Sequence, residues 1–280
     1  MIRKLSPAKI NLHLRVLRKR EDGYHDIATL MQRISLYDEM IFSPADHGIT
    51  LNCPGSTLPE NENNIVYRAA DALLSLSSCR PGIHITIKKR IPIAAGLGGG
   101  SSNAATTLMA INDLMGLHYT VAELMKIGAG IGADVPFFIF GKTAWAFGIG
   151  DRLRTAGQIP PIWYVLINPG FEVSTRMIYE NLNLRLTNRA VRYKCPQIYT
   201  VDCLIKGLHN DLEKVTLAHH PILQHLKNLL LQNGALGALM SGSGPTVAGI
   251  FTEEKEAARA DKALRCIGGK EWSIYVAHSL

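Results

Sequence analysis

A run of glycines and serines at residues 96–102 constrains the fold of this chain more than any other segment. It reads Gly-Leu-Gly-Gly-Gly-Ser-Ser, between a predicted strand with alternating Ile83, Ile85 and Ile87 and a predicted helix from Asn103 to Met115. Glycines let the backbone turn tightly and approach a ligand without an intervening Cβ atom. The free N–H groups and positive dipole end of the following helix attract anions. The segment therefore predicts a phosphate-binding loop at a strand-to-helix junction.

Neither of the two commonest phosphate loops fits this segment. A P-loop needs a lysine directly after its last glycine, and here Ser101 follows Gly100. The dinucleotide fingerprint G-x-G-x-x-G needs a glycine where Ser101 stands. Its strand is also normally a buried parallel one, whereas this strand ends in Lys88-Lys89-Arg90. These mismatches argue against a P-loop enzyme and against a redox enzyme.

The composition is that of a globular protein with an excess of basic residues. Its 280 residues suffice for one large domain or two ordinary ones. The net charge of +7 suits an anionic partner, whether a nucleotide, a phosphorylated metabolite or a nucleic acid. The basic clusters at residues 15–20 and 88–90 contain no aromatic residue. That pattern disfavours a nucleic-acid-binding module, so we expect a small-molecule substrate and no nucleic-acid partner.

The cysteines and the hydropathy favour a cytoplasmic protein. The chain has an odd number of cysteines with no CxxC pair, namely Cys53, Cys79, Cys195, Cys203 and Cys266. This argues against a disulfide framework and against a zinc site. A cluster of histidines at residues 219–225 lacks a cysteine or carboxylate at ligand spacing. Because neither a secretory signal nor a run of 18 apolar residues is present, we expect no membrane association.

Apolar periodicity predicts strands and helices mixed along the chain, an α+β fold. Alternation over residues 10–16 predicts a strand on which Lys9 and Asn11 share the polar face. Residues 27–52 are predicted to form further short strands, and the apolar residues 135–140 another strand. The polar, proline-containing segment 154–161 is a candidate boundary between domains at residues 1–155 and 156–280.

Three segments resemble the motifs of the GHMP kinases, the family of galactokinase, homoserine kinase, mevalonate kinase and phosphomevalonate kinase. Residues 92–102 are similar to its phosphate loop, Pro7 to Leu12 to its first motif and Ser241 to Thr246 to its third. The three motifs stand in the family's order, which is far more specific than one loop. The resemblance implies an ATP- and Mg²⁺-dependent small-molecule kinase. It also implies two domains, an N-terminal one resembling a ribosomal-protein fold and a ferredoxin-like C-terminal one.

Further segments resemble one branch of this family, whose members phosphorylate a CDP-linked sugar alcohol. These segments are Asp22 to His25, Gly132 to Phe138 and Met240 to Gly244. The implied substrate is CDP-linked methylerythritol, phosphorylated on its 2-hydroxyl in isoprenoid precursor synthesis. Another GHMP kinase, such as homoserine kinase, is the alternative. The sequence is compatible with a monomer or a homodimer.

Two residues are candidates for the phosphoryl-transfer chemistry. Asp134 is a lone acid in an apolar stretch, so it needs a partner if buried, although it could instead close a turn. Lys9 lies on the polar face of its strand and could simply be exposed. The resemblance places both in the active site. There the aspartate would accept or orient the hydroxyl proton, and the lysine would offset phosphate charge and keep the aspartate ionised.

The resemblance also implies the residues that bind the two substrates. Tyr24 would stack on the cytosine, His25 would bind the cytosine edge, and Asn11 would assist at the sugar alcohol. The predicted ATP-binding residues are Asn64, Pro92, Ala94, Ala95, Gly96, Leu97, Gly98, Gly99, Gly100, Ser101, Ser102 and Asn103. The predicted substrate-binding residues are Asn11, Tyr24, His25, Thr175, Tyr179, Ser241, Gly242, Ser243 and Gly244. The ligands of Mg²⁺ remain open.

Overall fold

The structure, a computed structural model, describes residues 1–76, 81–182, 193–269 and 271–280. Strands and helices are mixed along these residues, as the apolar periodicity predicts. The strands are β1 Ile2–Lys19, β2 His25–Ala45, β3 Ile49–Asn52, β4 Gly82–Lys88, β5 Ala144–Gly148, β6 Arg152–Thr155, β7 Trp163–Asn168, β8 His209–Asn210, β9 Gly237–Met240, β10 Val247–Phe251 and β11 Ser273–His278. The helices are α1 Ile65–Leu74, α2 Gly99–Leu114, α3 Val121–Ala129, α4 Val135–Phe140, α5 Thr175–Glu180, α6 Val201–Gly207, α7 Glu213–His219, α8 Ile222–Gln232 and α9 Glu254–Ile267.

The chain divides into two compact units, and neither is a single stretch of sequence. The first unit comprises Met1–Ala8, Tyr37–Pro92 and Gly98–Lys142. The second comprises Lys9–Leu36, Ile93–Leu97 and Thr143–Leu280. β1, β2 and the glycine-rich loop therefore each contribute residues to both units. The predicted boundary after residue 155 divides the sequence by motif and stays a prediction.

In the first unit, β4 pairs with two strands and helices supply the rest of the core. β4 pairs antiparallel with residues 39–45 of β2 and parallel with β3. Its three alternating isoleucines are fully buried, as period two requires of a strand with one core face. α2 packs against α1 and α4. Asn64 caps α1, as its sequence position suggests, because its side chain accepts a hydrogen bond from the Val66 N–H at 2.9 Å.

In the second unit, an antiparallel sheet has the strand order β11-β7-β10-β9. Its elements follow one another as β7, α8, β9, β10, α9 and β11, with shorter elements between β7 and α8. This is the β-α-β-β-α-β connectivity of a ferredoxin-like domain, the arrangement that the resemblance implies. α8 packs on β9 and β10, and α9 packs on β7, β10 and β11. All five residues of β10 are buried, which explains its continuous apolar sequence.

A second group of strands in this unit carries the first motif. β1 pairs with β8 in parallel through His13 and Leu14, and residues 27–31 of β2 pair antiparallel with β5. Residues 10, 12, 14 and 16 of β1 are buried, as the alternation predicts. The opposite face is buried too, since Lys9, Asn11 and His13 are at most 5% exposed. The first motif is therefore an interior strand segment.

Three predicted elements differ from those in the structure. Residues 135–140 form the helix α4 and not a strand. A short apolar run does not distinguish a buried strand from a buried helix, and Pro136 is tolerated in a first helical turn. Residues 25–45 form one long strand in place of several short ones. α2 begins at Gly99, four residues before the predicted start at Asn103.

Two expectations concerned the membrane and the cysteines. Among the described residues, none of the helices combines the length and apolar character needed to span a membrane. Cys53, Cys195, Cys203 and Cys266 are free thiols. Cys79 lies outside the described residues.

Candidate active site

Two oxygen acceptors in the second unit hold the Lys9 ammonium group. Lys9 is 4% exposed, and its Nζ donates to Asn11 Oδ1 at 2.5 Å and to the Gly96 carbonyl oxygen at 3.0 Å. The Lys9 backbone N–H donates to the Leu97 carbonyl oxygen at 2.9 Å. A buried ammonium group is costly unless acceptors surround it. Simple solvent exposure of Lys9 is therefore excluded.

Asn11 joins Lys9 to the third motif. Its Nδ2 donates to Thr29 Oγ1 at 2.8 Å, and its backbone N–H donates to Ser241 Oγ at 3.3 Å. The Ser241 hydroxyl in turn donates to the Gly96 carbonyl oxygen at 2.9 Å. β1, the glycine-rich loop and the third motif therefore meet at one cluster within the second unit. Thr29 was not predicted as a site residue, because nothing in the sequence distinguishes it from other strand residues.

Two glycines at this cluster have backbone conformations that other residues rarely adopt. Gly96 has φ +74°, and a Cβ there would lie 2.1 Å from the Ser241 carbonyl oxygen. Gly242 has φ +57°, and a Cβ there would lie 3.3 Å from Asn11 Oδ1 and 3.5 Å from Lys9 Nζ. At Gly96 the left-handed backbone and the close approach both exclude a side chain, and at Gly242 the left-handed backbone makes a side chain strained. The glycines of both motifs thus bring backbone groups next to the ammonium group.

The entry to the glycine-rich loop is also tightly turned. Ala94 has φ +51°, a left-handed conformation that costs a non-glycine residue roughly 1–2 kcal/mol. Ala94 is exposed, whereas Ala95 and Leu97 are buried and Pro92 is half-buried. The buried side chains of Ala95 and Leu97 therefore anchor the backbone of the loop.

Asn210 stabilises the third motif through hydrogen bonds to its backbone. It is a second residue of this region that was not predicted from the sequence. Its Nδ2 donates to the Met240 and Gly242 carbonyl oxygens at 2.8 and 2.7 Å, and its Oδ1 accepts from the Leu212 N–H at 2.9 Å. Thr216 Oγ1 donates to the Ser243 carbonyl oxygen at 3.2 Å. The conformation of residues 241–244 thus depends on side chains about 30 residues away. One sequence offers no local signal for such contacts.

His25 stacks on Tyr179, so two of the predicted substrate-binding residues are in contact within the second unit. Their ring centroids are 5.1 Å apart with an interplanar angle of 29°. Burial lowers the pKa of His25 below its usual 6.5, and the nearby Lys19 lowers it further. The imidazole is therefore neutral at pH 7 and offers one donor and one acceptor nitrogen. Tyr24 is 62% exposed.

The second unit also contains a cavity beside the Tyr24 loop and a hydrogen-bonded pair of hydroxyl groups. The cavity has a volume of about 680 Å³ and is lined by the residues that lead into Tyr24, namely Arg18, Lys19, Arg20, Glu21 and Asp22. That volume is in the range of pockets for small molecules.

The Thr175 and Ser243 hydroxyls are hydrogen-bonded at 2.8 Å. Thr175 and the third motif are therefore adjacent.

In the first unit, the second half of the glycine-rich loop forms the start of α2. Gly98, with φ +69°, is the N-cap residue, and its lack of a side chain leaves the first-turn N–H groups without a side-chain cap. Gly100 is exposed and Ser101 is half-buried. Ser102 is fully buried, and its Oγ accepts a hydrogen bond from Ser6 at 2.8 Å. Of the two serines, only Ser101 is thus accessible to a bound phosphate.

The turn that carries Asp134 lies close to this helix start within the same unit. A Cβ at Gly132 would lie 3.8 Å from Ser101 Oγ, so the Gly132-Ala133-Asp134 turn borders the loop. Asp134 occupies the N-cap position of α4, but its side chain does not accept the capping hydrogen bond. The half-buried carboxylate therefore does not act as a helix cap.

Asn64 and Asn103, both predicted to approach ATP, have their side chains engaged within the protein. Asn64 caps α1, and its Nδ2 donates to the Pro59 carbonyl oxygen at 2.7 Å. Asn103 is 1% exposed and donates to Ser6 Oγ and Asp38 Oδ2 at 2.9 and 3.0 Å. Their side chains stabilise the segments that flank the loop. A role in contact with ATP stays a prediction for both residues.

Metal-binding side chains are sparse around this region. In the part of the chain that the structure describes, no group of three or more His, Cys, Asp or Glu side chains could hold a metal ion. Mg²⁺ in kinases keeps several water ligands and binds substrate phosphates with one or two carboxylates. Asp134 and the Ser101 hydroxyl fit that limited ligand requirement.

Comparisons with known proteins identify the family. The model described as GHMP kinases N terminal domain matches residues 64–142, and GHMP kinases C terminal matches residues 200–270. A 4-diphosphocytidyl-2-C-methyl-D-erythritol kinase of Syntrophus aciditrophicus is 60% identical over 280 residues, which cover 100% of both chains.

Solved structures agree with this assignment. The crystal structure of a 4-(cytidine 5'-diphospho)-2C-methyl-D-erythritol kinase is 33% identical, with a TM-score of 0.83 over 99% of both chains. A homoserine kinase from Cytophaga hutchinsonii has a TM-score of 0.71 at 18% identity, over 99% of this chain and 94% of that one. The second likeness concerns the fold alone. The matches confirm the predicted α+β GHMP kinase fold. The chain belongs to the GHMP kinases and, within them, to the family of the 4-diphosphocytidyl-2-C-methyl-D-erythritol kinases.

Proposed function

We propose that this kinase transfers the γ-phosphate of ATP to the 2-hydroxyl of 4-diphosphocytidyl-2-C-methyl-D-erythritol. The observation that carries the proposal is the cluster of Lys9, Asn11, Gly96 and Ser241, in which three family motifs meet. The relative from Syntrophus aciditrophicus, named for this kinase activity, matches the whole chain.

Lys9 and Asp134 are the proposed catalytic residues. Phosphoryl transfer depends mainly on positioning and on neutralising charge at the phosphate oxygens. Lys9 supplies a positive charge, and hydrogen bonds to Asn11 and the Gly96 carbonyl oxygen fix the position of its ammonium group. Asp134 accepts or orients the proton of the attacking hydroxyl. The two residues belong to different units, so their joint action on one substrate is part of the proposal.

The glycine-rich loop is the proposed site for the phosphates of ATP. The first-turn N–H groups of α2 and the Ser101 hydroxyl donate to phosphate oxygens, and the exposed Gly100 leaves room for their approach. Ser101 and Asp134 are the side chains that would hold Mg²⁺, which would supply positive charge to the phosphates of ATP. Pro92, Ala94 and the adjacent loop residues border the nucleotide.

Tyr24, His25 and Tyr179 are the proposed cytidine site. A base stacked on the exposed Tyr24 ring would present its edge to the neutral His25 imidazole. The stack of His25 on Tyr179 keeps the imidazole in one orientation. Thr175 and Ser243 border the same substrate, while Asn11 and Gly242 lie at the sugar-alcohol end, beside Lys9.

Homoserine kinase activity is the second candidate, because the Cytophaga hutchinsonii enzyme shares the fold. Homoserine has no base to stack. An exposed tyrosine beside a stacked histidine would then serve no recognition purpose. The Tyr24-His25 pair therefore favours the cytidine substrate.

A coupled assay of ADP release tests the proposal. The purified protein with ATP and Mg²⁺ should phosphorylate the CDP-linked polyol and leave homoserine and mevalonate unphosphorylated. Tyr24→Ala should raise KM for the CDP substrate by about 5- to 150-fold, because stacking on an aromatic ring contributes roughly 1–3 kcal/mol per base. The KM for ATP should stay near the wild-type value.

Tyr24→Phe is the matched control, since it keeps the ring and removes only the hydroxyl. Its KM for the CDP substrate should stay within a small factor of wild type. Turnover of homoserine without turnover of the CDP compound would overturn the proposed substrate. An unchanged KM in Tyr24→Ala would remove Tyr24 from the cytidine site.

Several accompanying expectations belong to the same proposal. They are the requirement for Mg²⁺, a cytoplasmic location, the absence of a nucleic-acid partner and a monomeric or homodimeric state. Metal dependence of turnover and light scattering of the purified protein test the first and the last.

A further inference from the structure

Asp38 is a fully buried carboxylate in the first unit and accepts four hydrogen bonds. Oδ1 accepts from the Arg90 and Ile91 backbone N–H groups at 2.8 and 2.9 Å. Oδ2 accepts from Asn103 Nδ2 at 3.0 Å and from the Lys89 ammonium group. The Asp38 side chain is 0% exposed and that of Lys89 is 10% exposed. A buried charge pair persists only when its remaining donors and acceptors are satisfied, as they are here.

The network reaches the start of α2 through side chains only. Lys89 also donates to Asn103 Oδ1 at 3.2 Å, and Asn103 Nδ2 donates to Ser6 Oγ at 2.9 Å. Ser6 donates to Ser102 Oγ at 2.8 Å. Ser102 and Asn103 are the fourth and fifth residues of α2. A single network thus fixes the first two turns of the helix to β2, to β1 and to the end of β4.

The Lys89 ammonium group lies directly behind the loop. A Cβ at Gly99 would be 3.3 Å from Lys89 Nζ and 2.9 Å from Ile91 Cγ2. The N–H of Ile91 is itself held by Asp38. One carboxylate therefore sets the positions of both groups against which the Gly99 backbone rests. Moving that carboxylate moves the surface that supports the first turn of α2.

We infer that Asp38, through Lys89, Ile91 and Asn103, is a positioning residue that holds the first-turn N–H groups of α2 in the geometry that binds phosphate. The inference rests on the proposed function, because it assumes that α2 receives the phosphates of ATP. Asp38 touches no substrate in this account. Its effect is on the loop, and it is separate from any contribution of the buried pair to stability.

Asp38→Asn isolates this role. The asparagine retains one oxygen for the Arg90 and Ile91 N–H groups, but its amide NH₂ then faces two further donors, Lys89 Nζ and Asn103 Nδ2. These donors must separate, so the support behind Gly99 shifts. Glu39→Gln is the matched control. Glu39 is the next residue of β2, and it pairs with the exposed cations Arg3 and Lys88 on the solvent side.

The experiment compares the dissociation constants of ATP and adenosine in the wild type and both variants. Measurements are made well below the unfolding temperature of each variant. A loss of folded protein weakens both ligands by the same factor, whereas a displaced loop weakens only the ligand that carries phosphates. Asp38→Asn should reduce the preference for ATP over adenosine by about 10- to 100-fold, by analogy with residues that orient metal ligands. Glu39→Gln should retain the wild-type preference.

An unchanged preference in folded Asp38→Asn would overturn the inference. If Asp38→Asn does not fold, Ser6→Ala decides, since it removes only the link to Ser102 and Asn103. The inference requires that variant to bind ATP more weakly and adenosine as the wild type does. A wild type with no preference for ATP would overturn the proposed phosphate site and the inference with it. If the wild type prefers ATP to adenosine and the folded variant keeps that preference, the inference alone is overturned and the proposed phosphate site stands.

Discussion

At the scale of single residues, the structure shows whether the Asp134 side chain caps helix α4. An aspartate before a short helix commonly caps it, and the sequence alone left that possibility open. In the structure the Asp134 side chain makes no capping hydrogen bond to α4. The turn that carries it borders Ser101 at the glycine-rich loop. This position agrees with a role in chemistry near bound phosphate.

Asp134→Asn should lower kcat by about 10²- to 10⁴-fold, the range for loss of a general base. The dissociation constants of ATP and of the CDP substrate should change little, because the lost interaction belongs to the transition state. The unfolding temperature should stay near the wild-type value, since α4 loses no cap. Steady-state kinetics, equilibrium ligand titration and thermal unfolding measure the three quantities.

Asp113→Asn is the control for removing one carboxylate from the same unit. Asp113 is 59% exposed and pairs with Lys4 at 3.1 Å on the surface, so its loss should affect neither kcat nor stability measurably. A variant of Asp134 with full kcat and a lowered unfolding temperature would make Asp134 a structural residue.

Residues within motifs were predictable, and residues that hold the motifs in place were not. Lys9, Asn11, Gly96 and Ser241 were all predicted and lie in one hydrogen-bonded cluster. Thr29, Asn210 and Asp38 were missed. Apart from the Leu212 N–H, from which Asn210 accepts a hydrogen bond, the partners of these three side chains are between 16 and 65 residues away. Local pattern carries no information about such pairings.

At the scale of elements, the glycine-rich loop is less exposed than its composition suggests. An exposed loop would allow Gly99→Val without loss of the fold. Gly99 is buried, and a Cβ there would lie 2.9 Å from Ile91 Cγ2. A valine at this position would disturb core packing as well as phosphate binding. Gly99→Val therefore does not isolate the function of the loop.

Gly100→Val is the cleaner test of the loop. Gly100 is exposed, and the nearest heavy atom to a Cβ there is Ile65 Cγ2 at 3.6 Å, an ordinary contact. The side chain would project where phosphate must approach the N–H groups of α2. We expect ATP affinity to fall by about 10- to 100-fold, as for a misplaced reacting group, with little change in unfolding temperature. Titration calorimetry and thermal unfolding give the two values.

Gly207→Ala is the matched control, because a Cβ at Gly207 has no heavy atom within 4 Å. It should bind ATP as the wild type does. Normal ATP affinity in Gly100→Val would mean that the loop is only a connector.

Periodicity predicted most elements correctly and failed where length and burial compete. α4 has six residues, nearly all of them buried, so neither a period of two nor one of 3.6 can be recognised. The start of α2 was missed because three glycines and two serines predict a loop by composition. Tertiary contacts override that propensity, since Gly99 rests against Ile91 and Lys89.

At the scale of the whole molecule, family and class followed from motifs in a fixed order. The predicted class, an ATP-dependent small-molecule kinase, is confirmed by the matches to both GHMP kinase domains and by relatives named as kinases. The division into units could not be predicted, because β1, β2 and the glycine-rich loop each belong to both. A boundary drawn along the sequence assigns each segment to one domain only.

The last prediction concerns stability and pH, and it depends on His13. This residue is buried on β1, its Nδ1 is hydrogen-bonded to the Gly207 carbonyl oxygen at 2.7 Å and its Nε2 to the Tyr193 hydroxyl at 2.6 Å. Burial lowers the pKa of His13 below 6.5; His209 and Arg15 lower it further, while the Gly207 carbonyl and Asp211 oppose the shift. The unfolded chain therefore takes up this proton at a higher pH than the folded one.

The sign of the effect follows from that difference. The stabilisation is complete above pH 6.5 and is lost as the pH falls from 6.5 through the lowered folded pKa. Each such histidine contributes a slope of at most about 1.4 kcal/mol per pH unit. Urea unfolding between about pH 5 and pH 8 should show this loss, and His13→Phe should reduce the slope while keeping the ring contact with Trp145. His25, whose pKa is also lowered, accounts for part of the slope that remains. An unaltered slope in His13→Phe would mean that the acid sensitivity of this fold arises elsewhere.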